Sequence, residues 1–123
     1  MTVIDASAVL EILGQTQTGL ELMAVLSPDL HAPQIIDLEV ANAIRRWEMS
    51  GLIGRRDGAA ILEVYLAMNI RRYDHKPLLG EVWALRHKLT AYDASYLALA
   101  RSLGAELLTM DDGLRKASTR RTR

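Results

Sequence analysis

Hydrophobic and polar positions along this chain follow two alternating rhythms. Short apolar or β-branched runs are followed by longer stretches in which apolar residues return every three or four positions. The runs at 2–5 (TVID), 30–33 (LHAP), 69–74 (NIRRYD) and 105–110 (AELLTM) predict strands. The stretches 6–13, 18–26, 34–49, 56–68, 78–88, 91–103 and 113–117 predict helices. In the third of these, Ile36, Val40, Ala43, Ile44 and Trp47 recur at helical spacing, and Ser50-Gly51 closes it. Gly14, Ser27-Pro28 and Gly104 end others, and the polar, basic tail 118–123 is expected to fray. Strands alternating with helices predict one domain spanning 1–123, a short parallel sheet with helices on both faces. Such sheets bind ligands beyond the carboxyl ends of their strands.

That rule draws attention to four acids. Asp5 ends the first strand and Asp111, with Asp112 beside it, follows the last. Either could simply cap a turn or a helix. Glu39 borders the apolar stripe of its helix, between Ile36 and Ala43, where a glutamate ordinarily bends out to water. Asp93 heads the stripe Tyr96, Leu97, Ala100, and Thr90-Ala91-Tyr92-Asp93 matches a capping box. Asp37, Glu48, Glu63 and Glu81 read as ordinary solvated acids.

Taken together, the four acids change the chemistry. Gathered at one sheet edge, their like charges are unfavourable unless a divalent cation sits among them. An oxygen-only donor set suits a hard ion, Mg²⁺ or Mn²⁺, and supports metal-assisted attack of water on a phosphate. The chain has no cysteine, which excludes disulfides and thiolate sites. His31, His75 and His87 have no ligand spacing and read as surface or loop residues.

Charge adds little. The net charge is +0, although residues 1–50 carry two arginines against seven acids and residues 51–123 thirteen bases against eight acids. The paired arginines (45–46, 55–56, 71–72, 120–121) suit phosphate oxygens, and equally a solvated surface. No apolar run reaches the ~20 residues of a membrane span, and the N-terminus has no signal-peptide pattern, so a cytoplasmic protein is expected.

The segments VIDASAVL (3–10), APQIIDLEVANAIRR (32–46) and LRHKLTAYDASYLALARSLGAELLTMDDGL (85–114) stand in the order and spacing of a known family. The chain resembles PIN domains, specifically the VapC-type ribonuclease toxins of type II toxin–antitoxin systems. The resemblance implies a three-layer α/β/α fold and a Mg²⁺- or Mn²⁺-dependent endoribonuclease. In that reading Asp5, Glu39, Asp93 and Asp111 are the catalytic, metal-holding acids, with Asp5 and Asp93 the most direct ligands. Ser7 and Thr109 match supporting hydroxyl residues, Asn42 a polar position beyond Glu39, and Arg86 a recurrent upstream arginine. Asp112 is the second choice to Asp111. The family's chemistry is attack of metal-activated water on the phosphodiester, leaving a 5′-phosphate and a 3′-hydroxyl. The implied partners are an RNA, such as tRNA or rRNA, a cognate VapB-type antitoxin and a second copy in a homodimer. Two alternatives stand beside this reading: a silent PIN-like module acting through antitoxin or RNA binding, and an unrelated doubly wound domain with Asp5 as phospho-acceptor.

Overall fold

The computed structural model describes residues 1–119. Strands β1 (Thr2–Ile4), β2 (Leu30–Pro33), β3 (Ile70–Tyr73) and β4 (Glu106–Leu108) form one parallel sheet in the order β3-β2-β1-β4. The helices are α1 (Ala6–Leu13), α2 (Gln17–Val25), α3 (Ile35–Met49), α4 (Arg55–Ala67), α5 (Leu79–Ala84), α6 (Ala91–Leu103) and α7 (Asp112–Thr119).

Handedness turns this strand order into layers. From β1 through β2 to β3 the chain steps one way across the sheet, so right-handed crossovers put α1 to α4 on one face. The return from β3 to β4 runs the other way and puts α5 and α6 on the opposite face. The packing agrees: α1 to α4 pack on one another, and α5 and α7 pack on α6. The result is the predicted α/β/α arrangement. Val3, Ile4 and Ala32 of the central strands are wholly buried. Residues 94–100 of α6 are buried without interruption, which accounts for its apolar composition all round. Gly104 ends α6 in the left-handed region at φ 63°, where a glycine has no Cβ to clash.

Several boundaries differ from the sequence expectation, each for a backbone reason. The predicted helix 78–88 is a 3-10 turn (Lys76–Leu78), then α5, then further turns to Leu89. Val82, Leu85 and Leu89 are nevertheless buried, so the apolar spacing reported burial and not α-helical bonding. The last strand stops at Leu108 because the amides of Met110 and Asp111 bond to the Ser7 and Thr109 hydroxyls. Ser118 and Thr119 belong to α7 and not to a frayed end; the rest of that expected tail, 120–123, lies outside the described residues.

Three side-chain expectations are corrected. His31 is a buried strand residue, bonded at Nδ1 to the Tyr73 hydroxyl and at Nε2 to Asp29, both at 2.7 Å. Asp37 accepts from the Tyr65 hydroxyl at 2.6 Å and from Arg72 at 2.9 and 3.1 Å, tying α3 to α4 and β3. Glu81 likewise pairs with Arg101 at 2.6 Å. Periodicity places a polar residue on a helix border but does not say which neighbour it meets. Among the described residues, no helix is long and apolar enough to cross a membrane.

Candidate metal centre

The chain reverses direction across the sheet between β1 and β4, and ligands of doubly wound sheets bind in the crevice at such a reversal. Asp5 follows β1 and Asp111 lies just beyond β4. Glu39 comes from the second turn of α3, and Asp93 from the first turn of α6.

Asp5 is buried, with 5% of its surface exposed. It caps α1: Oδ1 accepts from the Ala8 amide at 3.0 Å and from the Ser7 hydroxyl at 2.6 Å. Oδ2 accepts from the Thr109 hydroxyl. Three donors offset the cost of burying the carboxylate. Ser7 Oγ also ties the end of β1 to the end of β4 by accepting from the Met110 amide at 2.9 Å, and Thr109 Oγ1 accepts from the Asp111 amide at 3.0 Å. Thr109→Val keeps the shape and removes both bonds. It is expected to lower stability by about 1–3 kcal/mol in urea unfolding, with Thr109→Ser recovering most of the loss.

Asp111 is exposed and caps α7, its Oδ2 accepting from the Leu114 amide at 2.7 Å. Asp93 is half-buried, and only one side of its predicted capping box forms. The Thr90 hydroxyl accepts from the Asp93 amide at 3.2 Å, while the Asp93 carboxylate accepts no hydrogen bond among the described residues. Its capping duty therefore falls to Thr90. Glu39 does not bend out to water: it is half-buried, and its Oε1 accepts from the Tyr96 hydroxyl at 2.6 Å.

The acids feel one another's charge. Burial pushes the Asp93 carboxyl above its usual range, and the charges of Asp111 and then Asp5 push it further. Burial also raises Glu39; the Tyr96 hydroxyl pulls it partly back, and Asp93 and Asp5 raise it again. Among the described residues no lysine or arginine neutralises any of the four, since the ion pairs formed involve Asp29, Asp37 and Glu81.

These residues fit a hard divalent cation: oxygen donors, uncompensated negative charge, and a carboxylate at Asp93 without a protein donor. Among the described residues, no three His, Asp or Glu side chains enclose an ion unaided. Mg²⁺ does not require that, because it keeps several waters and takes one or two carboxylates.

The supporting residues divide. Ser7 and Thr109 reach Asp5 as described. Asn42 is exposed on α3 just beyond Glu39, and Asp112 is exposed beside Asp111. Arg86 is not brought to the acids: it lies in the turn after α5, with its guanidinium 4.6 Å over the Trp83 ring and bonded to the Trp83 carbonyl at 2.9 Å. Two residues escaped the sequence reading. Tyr96 bonds Glu39, and its only signal was one polar tip in an apolar stripe, three residues after Asp93. Arg115 donates to the Thr109 carbonyl at 2.9 Å, bringing a cation to this edge four residues beyond Asp111.

A parallel α/β/α sheet with acids at its reversal defines a class of protein, and comparison with known proteins agrees. The PIN domain model matches residues 2–119. Ribonuclease VapC9 of Mycobacterium tuberculosis is 37% identical over 111 residues, covering 90% of this chain and 86% of the relative. Ribonuclease VapC1 of the same organism is 39% identical over 118 residues, covering 94% and 89%. The crystal structure of M. tuberculosis VapC20, a Sarcin-Ricin loop cleaving toxin, superposes with a TM-score of 0.74 over 100% of this chain and 99% of that one. At 16% identity, that likeness speaks for the fold alone. The chain belongs to the PIN-domain family, with VapC ribonucleases among its relatives.

Proposed function

We propose that this chain is a metal-dependent endoribonuclease of the VapC type, the toxin of a type II toxin–antitoxin pair, and that Asp5, Glu39, Asp93 and Asp111 hold its cation. The observation that carries the proposal is the Asp93 carboxylate, without a protein hydrogen-bond donor among the described residues and raised by burial and then by its acidic neighbours. The four oxygen-bearing side chains suit Mg²⁺ or Mn²⁺. A bound divalent cation supplies Lewis-acid polarisation of the phosphodiester and activation of water. Asp5, fixed by Ser7, Ala8 and Thr109, provides the rigid ligand; Asp93 provides the open one; Glu39 and Asp111 complete the negative edge. Arg115, bonded to the Thr109 carbonyl, adds a cation to the same edge.

In this reading the chain is a single PIN domain acting in the cytoplasm on a structured RNA such as tRNA or rRNA. A VapB-type antitoxin is its partner, and the groove lined by Ile12, Leu20, Met23, Ile61, Val64 and Met68 suits an apolar segment of that partner. A homodimer is supported by the exposed apolar side chains of Leu79, Trp83 and Tyr92. The test is cleavage of structured RNAs by protein stripped with EDTA and then given Mg²⁺ or Mn²⁺. Products with 5′-phosphate and 3′-hydroxyl ends that appear only with the metal are expected. Cleavage that persists in EDTA would overturn the metal-dependent reading.

A further inference from the structure

Tyr96 is 1% exposed, and its phenol lies in the most buried part of α6. Packing alone would be served by a phenylalanine, since a buried hydroxyl is costly unless it finds a partner. Its partner is the Glu39 carboxylate on α3, at 2.6 Å across 57 positions of the chain. The phenol also lies close enough to the start of α1 to feel the charge of Asp5. One hydroxyl therefore bonds the element carrying Glu39 and lies near the start of the helix that Asp5 caps. Its own helix carries Asp93 three residues earlier.

We propose that Tyr96 is a positioning residue of the metal centre, holding Glu39 by Oε1 so that Oε2 is left for the cation. The inference rests on the reading of Glu39 as a metal-holding acid. A glutamate has a flexible stem, and ordering it on metal binding costs rotamer entropy. A donor already in place removes part of that cost and keeps the carboxylate from swinging to water.

The probe is Mn²⁺ bound to the full chain without RNA, followed by electron paramagnetic resonance. Tyr96→Phe is expected to weaken Mn²⁺ binding about 10- to 100-fold, the usual effect of losing a partner that orients a ligand. In a Glu39→Gln background the same change is expected to cost nothing more. In RNA cleavage, kcat falls while KM holds. Unchanged Mn²⁺ affinity in Tyr96→Phe, or a loss that persists in full in the Glu39→Gln background, overturns the inference. If Glu39→Gln itself binds Mn²⁺ like the wild type, the assignment of Glu39 fails and this inference fails with it. Should Tyr96→Phe not fold, 3-fluorotyrosine at position 96 keeps both ring and hydroxyl. Its ¹⁹F resonance is expected to shift saturably with Mg²⁺ and to stop doing so in Glu39→Gln; a resonance blind to Mg²⁺ overturns the proposal.

Discussion

Asp93→Asn is expected to cut RNA cleavage by at least about 100-fold while leaving the metal-free protein as stable as the wild type or more so. The activity loss follows from removing a charged oxygen donor that, among the described residues, has no protein hydrogen-bond partner. The stability result follows from the same geometry. Asp93 is repelled by Asp111 and Asp5, and its helix is capped by Thr90, so neutralising it relieves repulsion without breaking a cap. Asp5→Asn separates the two effects. Cleavage is again expected to fail, but there the protein also loses about 1–3 kcal/mol, because an amide cannot accept at both atoms from Ser7, Ala8 and Thr109. Cleavage assays and urea unfolding in EDTA, run on both variants, give the answer. Equal stability losses at the two positions would mean that Asp93 carries a structural role absent from its contacts. Full activity in either variant would remove it from the metal centre.

The distinction between these aspartates also marks how far the sequence could be read. Strand-then-acid at TVID and at the end of ELLTMD is enough to put Asp5 and Asp111 near one edge, because a parallel sheet aligns its strand ends. Strand positions needed only short apolar runs, and the left-handed Gly104 end of α6 needed only a glycine after the last periodic residue. What periodicity could not supply was pairing between distant residues. Tyr96 reads as one more core position until α3 is laid beside α6, and Asp37 reads as solvated until Tyr65 and Arg72 arrive. The Thr90–Asp93 pattern was legible as a cap, but not which half of it would form. That choice is made in three dimensions, where the acids beyond the helix are already close. Arg86 is a different case: the motif marked it only as a recurrent arginine, and the local turn sets its guanidinium over the Trp83 ring.

The pH dependence of metal binding is the second large effect expected. The fold raises the Asp93 and Glu39 carboxyls above their unfolded values, so the folded chain binds those protons more tightly than the unfolded one. Metal-free stability from these two groups therefore falls as pH rises through the unfolded value toward the raised one, the reverse of a salt-bridged carboxylate. In EDTA, Asp93→Asn should melt above the wild type near neutral pH, and the gap should close as the pH drops through the raised Asp93 range. A cation must displace the same protons. Mn²⁺ affinity is thus expected to fall on acidification by roughly tenfold per pH unit for each proton displaced, once the pH is below the raised range. Saturating Mn²⁺ should invert the neutral-pH order, stabilising the wild type through binding to the folded state while leaving Asp93→Asn almost unmoved. Melting curves with and without Mn²⁺, taken from about pH 8 down to about pH 4 to bracket the carboxylate range, measure both trends. A wild-type melting temperature that does not respond to Mn²⁺ at any of these pH values would show that the repulsion among the acids is not relieved by a cation.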